Sequence, residues 1–576
     1  MITKIIAAAL GHRALVVLFM LILAGLGVWA VQNIRLDAIP DLSDVQVIVV
    51  TEFPGQNPEV VDQQVTYPLA SALLSVPGAA DVRGFSMFEL SFVYVLFEDN
   101  TDIYWARSRV LESLSFVRDR LPEGVQPVLG PDATGLGWVY QYALVPGFYC
   151  PDHPRVRGFE EPGVCPTDGK PLVSANVDLA QLRSLQDWYL RFPLTAVRGV
   201  AEVATIGGFV KQYQVVLDPR KLQAYRVSLN SIVTALQRSN QDVGGSVVEV
   251  AENEYMVRSR GYLAGVEDVR HVPVGLGMNG TPIFLEEVAN VQVGGEARRG
   301  IGELDGEGEA VGAVVVSRFG ENAYQVIHDA KKKLADLESG LPPGVFVKTT
   351  YDRSALIDRS VDTLRESLAQ ELIIVALVCF LFLGHVRSAL VALVVLPIGL
   401  LVSILIMNLL GINANIMSLG GLALAIGIMV DSSIVMVENV HKWYEREEEA
   451  VARGRAPRPR MEIVLGAASE VGPALFFSLL IITVSFLPIF VLGEQSGRLF
   501  KPLAYTKTFA LAAAAILSIT VVPVLIAMFV HGKIPREESN PLNRWMMRAY
   551  DPFFARVMRR PKTTLVVVVL LGLSTL

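Results

Sequence analysis

Three cysteines and seven histidines are all that this chain of 576 residues contains, and charged residues make up only 19 % of it. No nucleophile–base pair and no phosphate-binding glycine loop stands out, which argues against an enzyme. There is no excess of positive charge: the formal net charge is −7. The basic residues that are present follow membrane topology, so nothing marks a nucleic-acid partner. A composition with so little charge, 52 % hydrophobic residues and a mean hydropathy of +0.43 is too apolar for an ordinary soluble protein of this length.

The apolar residues are clumped. Long runs occupy residues 14–31, 372–383, 389–410, 417–437, 474–492 and 509–530. A helix needs roughly 20 apolar residues to cross a bilayer. The run at 372–383 is short, but its helical pattern starts near Thr363, so six spans are expected. A seventh run, residues 563–576, is too short to cross, and a chain cut inside a membrane helix is the expected explanation. No clear small-residue cleavage site follows the first run, which favours an uncleaved anchor over a signal peptide. Lys4, Arg13, Arg387, the group from Lys442 to Arg460, and the group from Lys533 to Lys562 fall on one side if the spans alternate. The positive-inside rule makes that side the cytoplasm. Residues 32–364 then lie outside, residues 365–531 hold spans two to six, and residues 532–562 form a cytoplasmic amphipathic segment.

Asp431 stands in the fourth run, after the apolar stretch SLGGLALAIGIMV. A carboxylate at that depth costs several kcal/mol unless it is protonated, paired or hydrated, and proton or ion coupling is its commonest use. The alternative is a neutral carboxyl hydrogen-bonded to a neighbouring helix. Glu438 is two turns further on the same face, either a proton exit or a solvated acid at the cytoplasmic end.

The external region is long enough for two or three small domains. Residues 45–53 read as a strand, Asn57-Pro58 as a helix start, and Val61, Val65, Leu69, Ala72 and Val76 recur at helical spacing. Residues 81–87 and 90–98 read as strands, 101–121 as an amphipathic helix and 125–129 as a last strand. That order, β-α-β-β-α-β, is the ferredoxin-like split unit. A second, less regular pass covers 178–351, with helices at 179–192 and 322–337, strands at 211–217 and 310–317, and a strand-rich subdomain at 243–295. The expected fold is therefore a polytopic α-helical membrane domain plus a large external α+β domain built of ferredoxin-like subdomains, periplasmic if the membrane is a bacterial inner membrane.

Between Tyr142 and Val177 the pattern breaks, and residues 146–172 form an insert. It carries two of the cysteines as Cys150-x2-His153 and Cys165-x2-Asp168. Each pair offers two ligands, and together they complete a tetrahedral shell suited to zinc or copper(I). A Cys150–Cys165 disulfide is the competing reading, because an external compartment is oxidising. Cys379 lies in a membrane run and reads as a small apolar residue.

Residues 37–47 (DAIPDLSDVQV), 54–69 (PGQNPEVVDQQVTYPL), 82–86, 104–111 (YWARSRVL), 130–138 (GPDATGLGW), 414–421 (ANIMSLGG) and 471–475 together carry a family resemblance. The chain resembles the N-terminal half of heavy-metal efflux pumps of the resistance-nodulation-division superfamily, CusA/CzcA type, with DLSDVQV and GPDATGLGW closer to the copper/silver branch. The resemblance implies a homotrimer in the bacterial inner membrane, with a periplasmic adaptor (membrane fusion protein) and an outer-membrane channel as partners and no nucleic acid. It implies proton influx driving export of Cu(I) or Ag(I), the metal being substrate and no tightly bound cofactor being expected. Asp431 matches the family's proton-relay aspartate, whose lysine and second acid belong to the other half. Met417 and Met429 match two positions of a methionine pathway, while Leu511 stands at a third. At ~100° per residue, Met417 lies near the Asp431 face and Met429 almost opposite. Without the family, core packing is the reading for both methionines. The insert resembles a heavy-metal-binding module for Cu(I)/Ag(I) or Zn(II), in which Asp168 replaces the last cysteine and Lys170-Pro171 stands where a closing methionine belongs, so a harder, weaker or incomplete site is expected. A divalent zinc, cobalt or cadmium exporter, an exporter of organic compounds, and a non-transporting membrane metal sensor remain the alternatives.

Overall fold

The computed structural model describes residues 1–99, 101–153, 159–277, 279–298, 300–383, 385–530 and 541–574. Lys533 and Arg536, part of the insert (154–158) and the side chain of Cys379 lie outside the described residues. The chain divides into two compact units. Met1–Val139, Val316–Asp329 and Asp352–Leu576 make the first, and Tyr140–Val315 with Ala330–Tyr351 the second.

Six long helices dominate the first unit: α1 (Arg13–Asn33), α2 (Arg353–Leu383), α3 (Val386–Leu409), α4 (Ile416–Ala452), α5 (Arg460–Ser485) and α6 (Glu494–Phe529). Among the described residues α1 and α3 to α6 are long and apolar enough to cross a membrane. The expected second span is the C-terminal part of α2, an unbroken helix of 31 residues whose first part is rich in charge. Residues 494–501, between the fifth and sixth apolar runs, are already helical as the first turns of α6. The run at 563–576 gives a short apolar helix, Pro561–Leu573, after the helix Pro541–Arg559.

Helix α6 packs against α3, α4 and α5. Its apolar stretch is largely buried, whereas α1 and α5 expose most of theirs, as helices that face lipid do. A Cβ at Gly421 of α4 would lie 2.1 Å from Thr506 Oγ1 and 2.6 Å from the Leu503 carbonyl. Glycine thus lets α4 and α6 approach closely, the way membrane helices gain contact without a hydrophobic drive.

The same unit carries a four-stranded antiparallel sheet of β1 (Gln46–Glu52), β2 (Ala79–Met87), β3 (Leu90–Phe97) and β4 (Pro127–Leu129), in the order β2-β3-β1-β4. Asn57 caps the first helix by accepting the Val60 N–H at 2.9 Å, and Asp102 caps the second by accepting that of Trp105 at 2.7 Å. Val65, Leu69, Leu73, Ala106, Val110 and Leu114 from the two helices fill one core with Val47, Val49, Val93 and Val95 of the sheet. The first helix contains a π-turn at Asp62–Thr66, which helical spacing alone does not reveal. Arg498, near the start of α6, ties it to this sheet region by donating to the Leu42 carbonyl at 3.0 Å and pairing with Asp44 and Asp99. Arg353, almost wholly buried at the head of α2, donates to the Leu136 carbonyl and pairs with Asp37 at 3.1 Å. Burial pushes the Asp37 carboxyl above its ordinary value, and the Arg353 guanidinium opposes that shift.

In the second unit β5 (Trp138–Pro146), β6 (Val200–Ile206), β7 (Val311–Ser317) and β8 (Val345–Asp352) form a sheet in the order β8-β5-β7-β6. Taken in its own chain order, each of the two sheets runs fourth-first-third-second. Strand β5 is absent from the sequence expectation, which began the second pass only at Asp178. Seven of its nine residues are at least half-buried, so it lacks the polar alternation of a one-faced strand. The strand expected at 211–217 exists, but it pairs with Ala289–Gly295 in a separate two-stranded sheet. Between them a hairpin of Val243–Val250 and Asn253–Ser259 is exposed along its whole length. Its tip, Ala251 and Glu252, turns with φ of 52° and 64°, the twist a tight hairpin prefers.

Candidate functional site

The insert leaves the second unit through a narrow neck. Phe148–Tyr149 pairs antiparallel with Val173–Ser174. Inside the neck the chain makes two knuckles. In the first, the His153 N–H donates to the Cys150 carbonyl at 3.1 Å. In the second, the Gly169 N–H donates to the Cys165 carbonyl at 2.8 Å, with Gly169 at φ +70°. That left-handed geometry favours glycine and folds Asp168 back toward Cys165.

The two knuckles face each other. One donor atom from each of Cys150, His153, Cys165 and Asp168 lies within 4.8 Å of all the others. His153 Nδ1 is 3.5 Å from Cys150 Sγ, 3.8 Å from Cys165 Sγ and 3.6 Å from Asp168 Oδ2. Cys150 Sγ is 3.8 Å from both Asp168 oxygens. Both cysteines are free and buried. The His153 and Asp168 side chains are 35 % and 22 % exposed, so one side of the cluster meets solvent. Burial pushes the Cys150 thiol up. The Cys165 thiol, the Lys170 N–H and His153 hold the Asp168 carboxyl below its usual range, in that order of effect.

The membrane helices separate the residues that the sequence singles out there. Asn415 caps α4 by accepting the N–H groups of Met417 and Ser418 at 3.1 and 3.0 Å. Met417, in the first turn, is half-buried. Met429 is 1 % exposed and packs with Leu396, Leu400, Leu422, Ile426 and Leu511. A Cβ at Gly399 would lie 2.1 Å from its methyl carbon. Asp431 points the other way. It is exposed, and its carboxylate has no hydrogen-bond or ion-pair partner among the described residues. Glu438 is half-buried and pairs with Lys442 at 2.6 Å, one turn on.

Two polar features of the bundle escaped sequence reasoning. The Ser388 hydroxyl bridges His385 Nδ1 and His441 Nε2, each at 2.8 Å. Ser388 and His441 are buried and lie on different helices, α3 and α4. A histidine late in an apolar helix was the available signal; its partner, 53 residues away, had none. Lys507 of α6 is also buried, with its Nζ 3.7 Å from the centre of the Phe486 ring, a cation–π contact. At the heads of the helices a cavity of about 450 Å³ is lined by Asp37, Asp41, Arg318, Arg498, Lys501 and Tyr505, among others.

Long apolar helices with a carboxylate on the fourth, and two α/β sheets encoded between the first and second, define a polytopic membrane protein with a large extramembrane part. The chain belongs to the AcrB/AcrD/AcrF family, whose profile matches residues 5–576. It is 52 % identical over 580 residues to the cation efflux system protein CusA of Escherichia coli K12, covering 100 % of this chain and 53 % of that protein. It is 51 % identical to the putative cation efflux system protein SilA of Salmonella typhimurium, covering 99 % and 52 %. Identity to the cobalt-zinc-cadmium resistance protein CzcA of Cupriavidus metallidurans is 36 %, over 96 % of this chain and 50 % of that one. An X-ray structure of a heavy metal efflux pump superposes with a TM-score of 0.78 at 29 % identity, over 99 % of this chain and 52 % of that one. The chain thus spans about half the length of the relatives it matches.

Proposed function

We propose that the chain is part of a proton-driven exporter of heavy-metal cations, with Cu(I) or Ag(I) as substrate. The observation that carries this reading is the match along the whole chain to CusA and SilA at 52 % and 51 % identity, against 36 % to CzcA. It supports reading the chain as a secondary transporter rather than an enzyme in the bacterial inner membrane, and the distribution of basic residues supports residues 32–364 in the periplasm.

Asp431 takes the proton. An exposed, partnerless carboxylate on an apolar helix would be costly facing lipid, so its face is one that other protein or water must cover. A cation and a second acid from the remaining half of a full-length pump would meet that need. Thioether sulfur suits Cu(I) and Ag(I), which is the support for Met417 and Met429 as soft ligands along the route. Glu438, already paired with Lys442, serves at most as a solvated exit.

Both sheets have the strand order of ferredoxin-like units, which we take as porter subdomains, with the region around 243–295 as a docking subdomain. An isolated two-stranded hairpin is marginal in water. The wholly exposed hairpin Val243–Ser259, with Val247, Val248, Tyr255 and Met256 open to solvent, therefore favours burial against a second copy in a homotrimer. A periplasmic adaptor and an outer-membrane channel complete the assembly.

The test expresses the full-length pump with its adaptor in cells and measures metal accumulation and growth across silver, copper, zinc, cadmium and cobalt. Protection against silver and copper alone is the expected result. Protection against zinc, cadmium or cobalt moves the chain to the divalent class. Protection against organic compounds alone, or no transport at all, removes the metal-export reading.

A further inference from the structure

We infer that Cys150, His153, Cys165 and Asp168 form a four-ligand site for a divalent ion of the zinc class. The inference stands on the insert itself and does not rest on the transport reading.

Geometry comes first. Zinc bonds of ~2.3 Å to sulfur and ~2.0–2.1 Å to nitrogen or oxygen give a tetrahedron with edges of roughly 3.3–3.8 Å. Four of the six edges are 3.5, 3.6, 3.8 and 3.8 Å, and the other two are within 4.8 Å. An ion at the centre therefore needs little movement of the knuckles. Four ligands from the protein leave no open position, which is the pattern of a structural rather than a catalytic site.

Donor chemistry then selects the ion. Cu(I) favours thiolate and thioether sulfur, and a carboxylate is a hard donor that suits it poorly. Two thiolates, one imidazole and one carboxylate are a mixed set that Zn(II) accepts. Charge points the same way. Two thiolates and Asp168 bring three negative charges together. A divalent ion leaves one of them uncompensated and a monovalent ion leaves two, at a site shielded from water on the cysteine side.

The insert also needs such an ion. Among its described residues inside the neck, the only fully buried side chains are the two cysteines, while Val164 is 65 % exposed. A segment this short with no apolar core depends on a staple, either a metal or a disulfide. A disulfide would use the two sulfurs and leave no purpose for an imidazole and a carboxylate converging on them. Binding is written as Zn(II) plus two thiols giving the bis-thiolate complex and two protons, with the His153 imidazole nitrogen and an Asp168 carboxylate oxygen as the other ligands; no electron is transferred.

The experiment uses the full chain, purified in detergent, reduced and stripped of metal. Cobalt(II) is the probe. The expected result is one equivalent per chain, with tetrahedral ligand-field absorption and sulfur-to-cobalt charge transfer, both removed by added Zn(II). Cys150→Ser and Asp168→Ala should each weaken Zn(II) binding by on the order of tenfold or more, the loss that even a supporting residue of a metal shell causes. Asp168→Cys keeps four ligands and guards against misfolding: it should still bind cobalt and gain in competition for Cu(I). Three results overturn the inference. One is no cobalt uptake by the folded, reduced chain. Another is a Cys150–Cys165 disulfide in protein alkylated directly from membranes. The third is wild-type chain that prefers Cu(I) to Zn(II) at this site.

Discussion

Two aspartates, Asp168 in the insert and Asp431 in α4, were both read as functional acids, and the structure treats them oppositely. Asp168 has a histidine, two thiols and a backbone N–H within reach. Asp431 has no partner among the described residues. The difference lies in how each local structure distributes side chains. Paired i,i+3 residues in tight turns point inward together, so spacing alone predicts convergence. A helix rotates successive side chains by ~100°, so neighbours in sequence disperse. Met429 and Asp431, two residues apart, end up buried and exposed. A loop completes its site from within one segment; a membrane helix waits for another element.

The largest expected effect breaks the comparison at its unpartnered end. Asp431→Asn in the full-length pump should abolish metal resistance while trimers still form, read by growth on metal and by crosslinking. Preserved resistance would remove Asp431 from the mechanism. Next is Arg353→Ala. It leaves the half-buried Asp37 without its cation and the Leu136 carbonyl without its donor, and should cost about 1–3 kcal/mol, seen as a fall in the melting temperature of the detergent-solubilised chain. Met429→Leu separates packing from ligation. Packing alone predicts a loss below about 1.5 kcal/mol and unchanged resistance; a cargo ligand predicts lost copper resistance with stability kept. Glu438→Gln removes an i,i+4 ion pair and should change stability by no more than about 0.5 kcal/mol, with transport retained.

Asp242 offers a control aspartate whose partners are all visible. The Gly261 N–H at 2.8 Å and Arg258 hold its carboxyl below the usual value. Its contribution is therefore complete above the ordinary carboxylate pKa and is lost as pH falls through the lower folded value. Protection from hydrogen exchange at the base of the Val243–Ser259 hairpin, corrected for the intrinsic pH dependence of exchange, should fall only in the acid range, and Asp242→Asn should remove that dependence.

The first α/β unit was legible in the sequence because each signal agreed with the next. Asn57 caps, Val65 and Leu69 bury, and β1 and β3 bury alternate residues. The second unit was legible only in part. Strand β5 is largely buried, and the break at the insert hid its continuity with the chain before it. The ligand knuckles could be read because all four residues are close in sequence. The exposure of Asp431 and the His385–Ser388–His441 bridge could not, because both depend on which helix faces which. The apolar runs of all six helices were plain, but the start of α2 at Arg353 was not, since its charged half and apolar half form one rod.

The two-residue ladder at the neck of the insert gives it the character of a detachable cassette. Phe148 and Ser174 sit side by side, so the rest of the unit sees everything between them as one long hairpin loop. The entropy of closing such a loop grows only slowly with its length. A short glycine-rich turn in place of residues 150–172 should therefore leave β5 and its neighbours folded. The proposed metal site could be removed, exchanged or transplanted there without redrawing the fold that carries it.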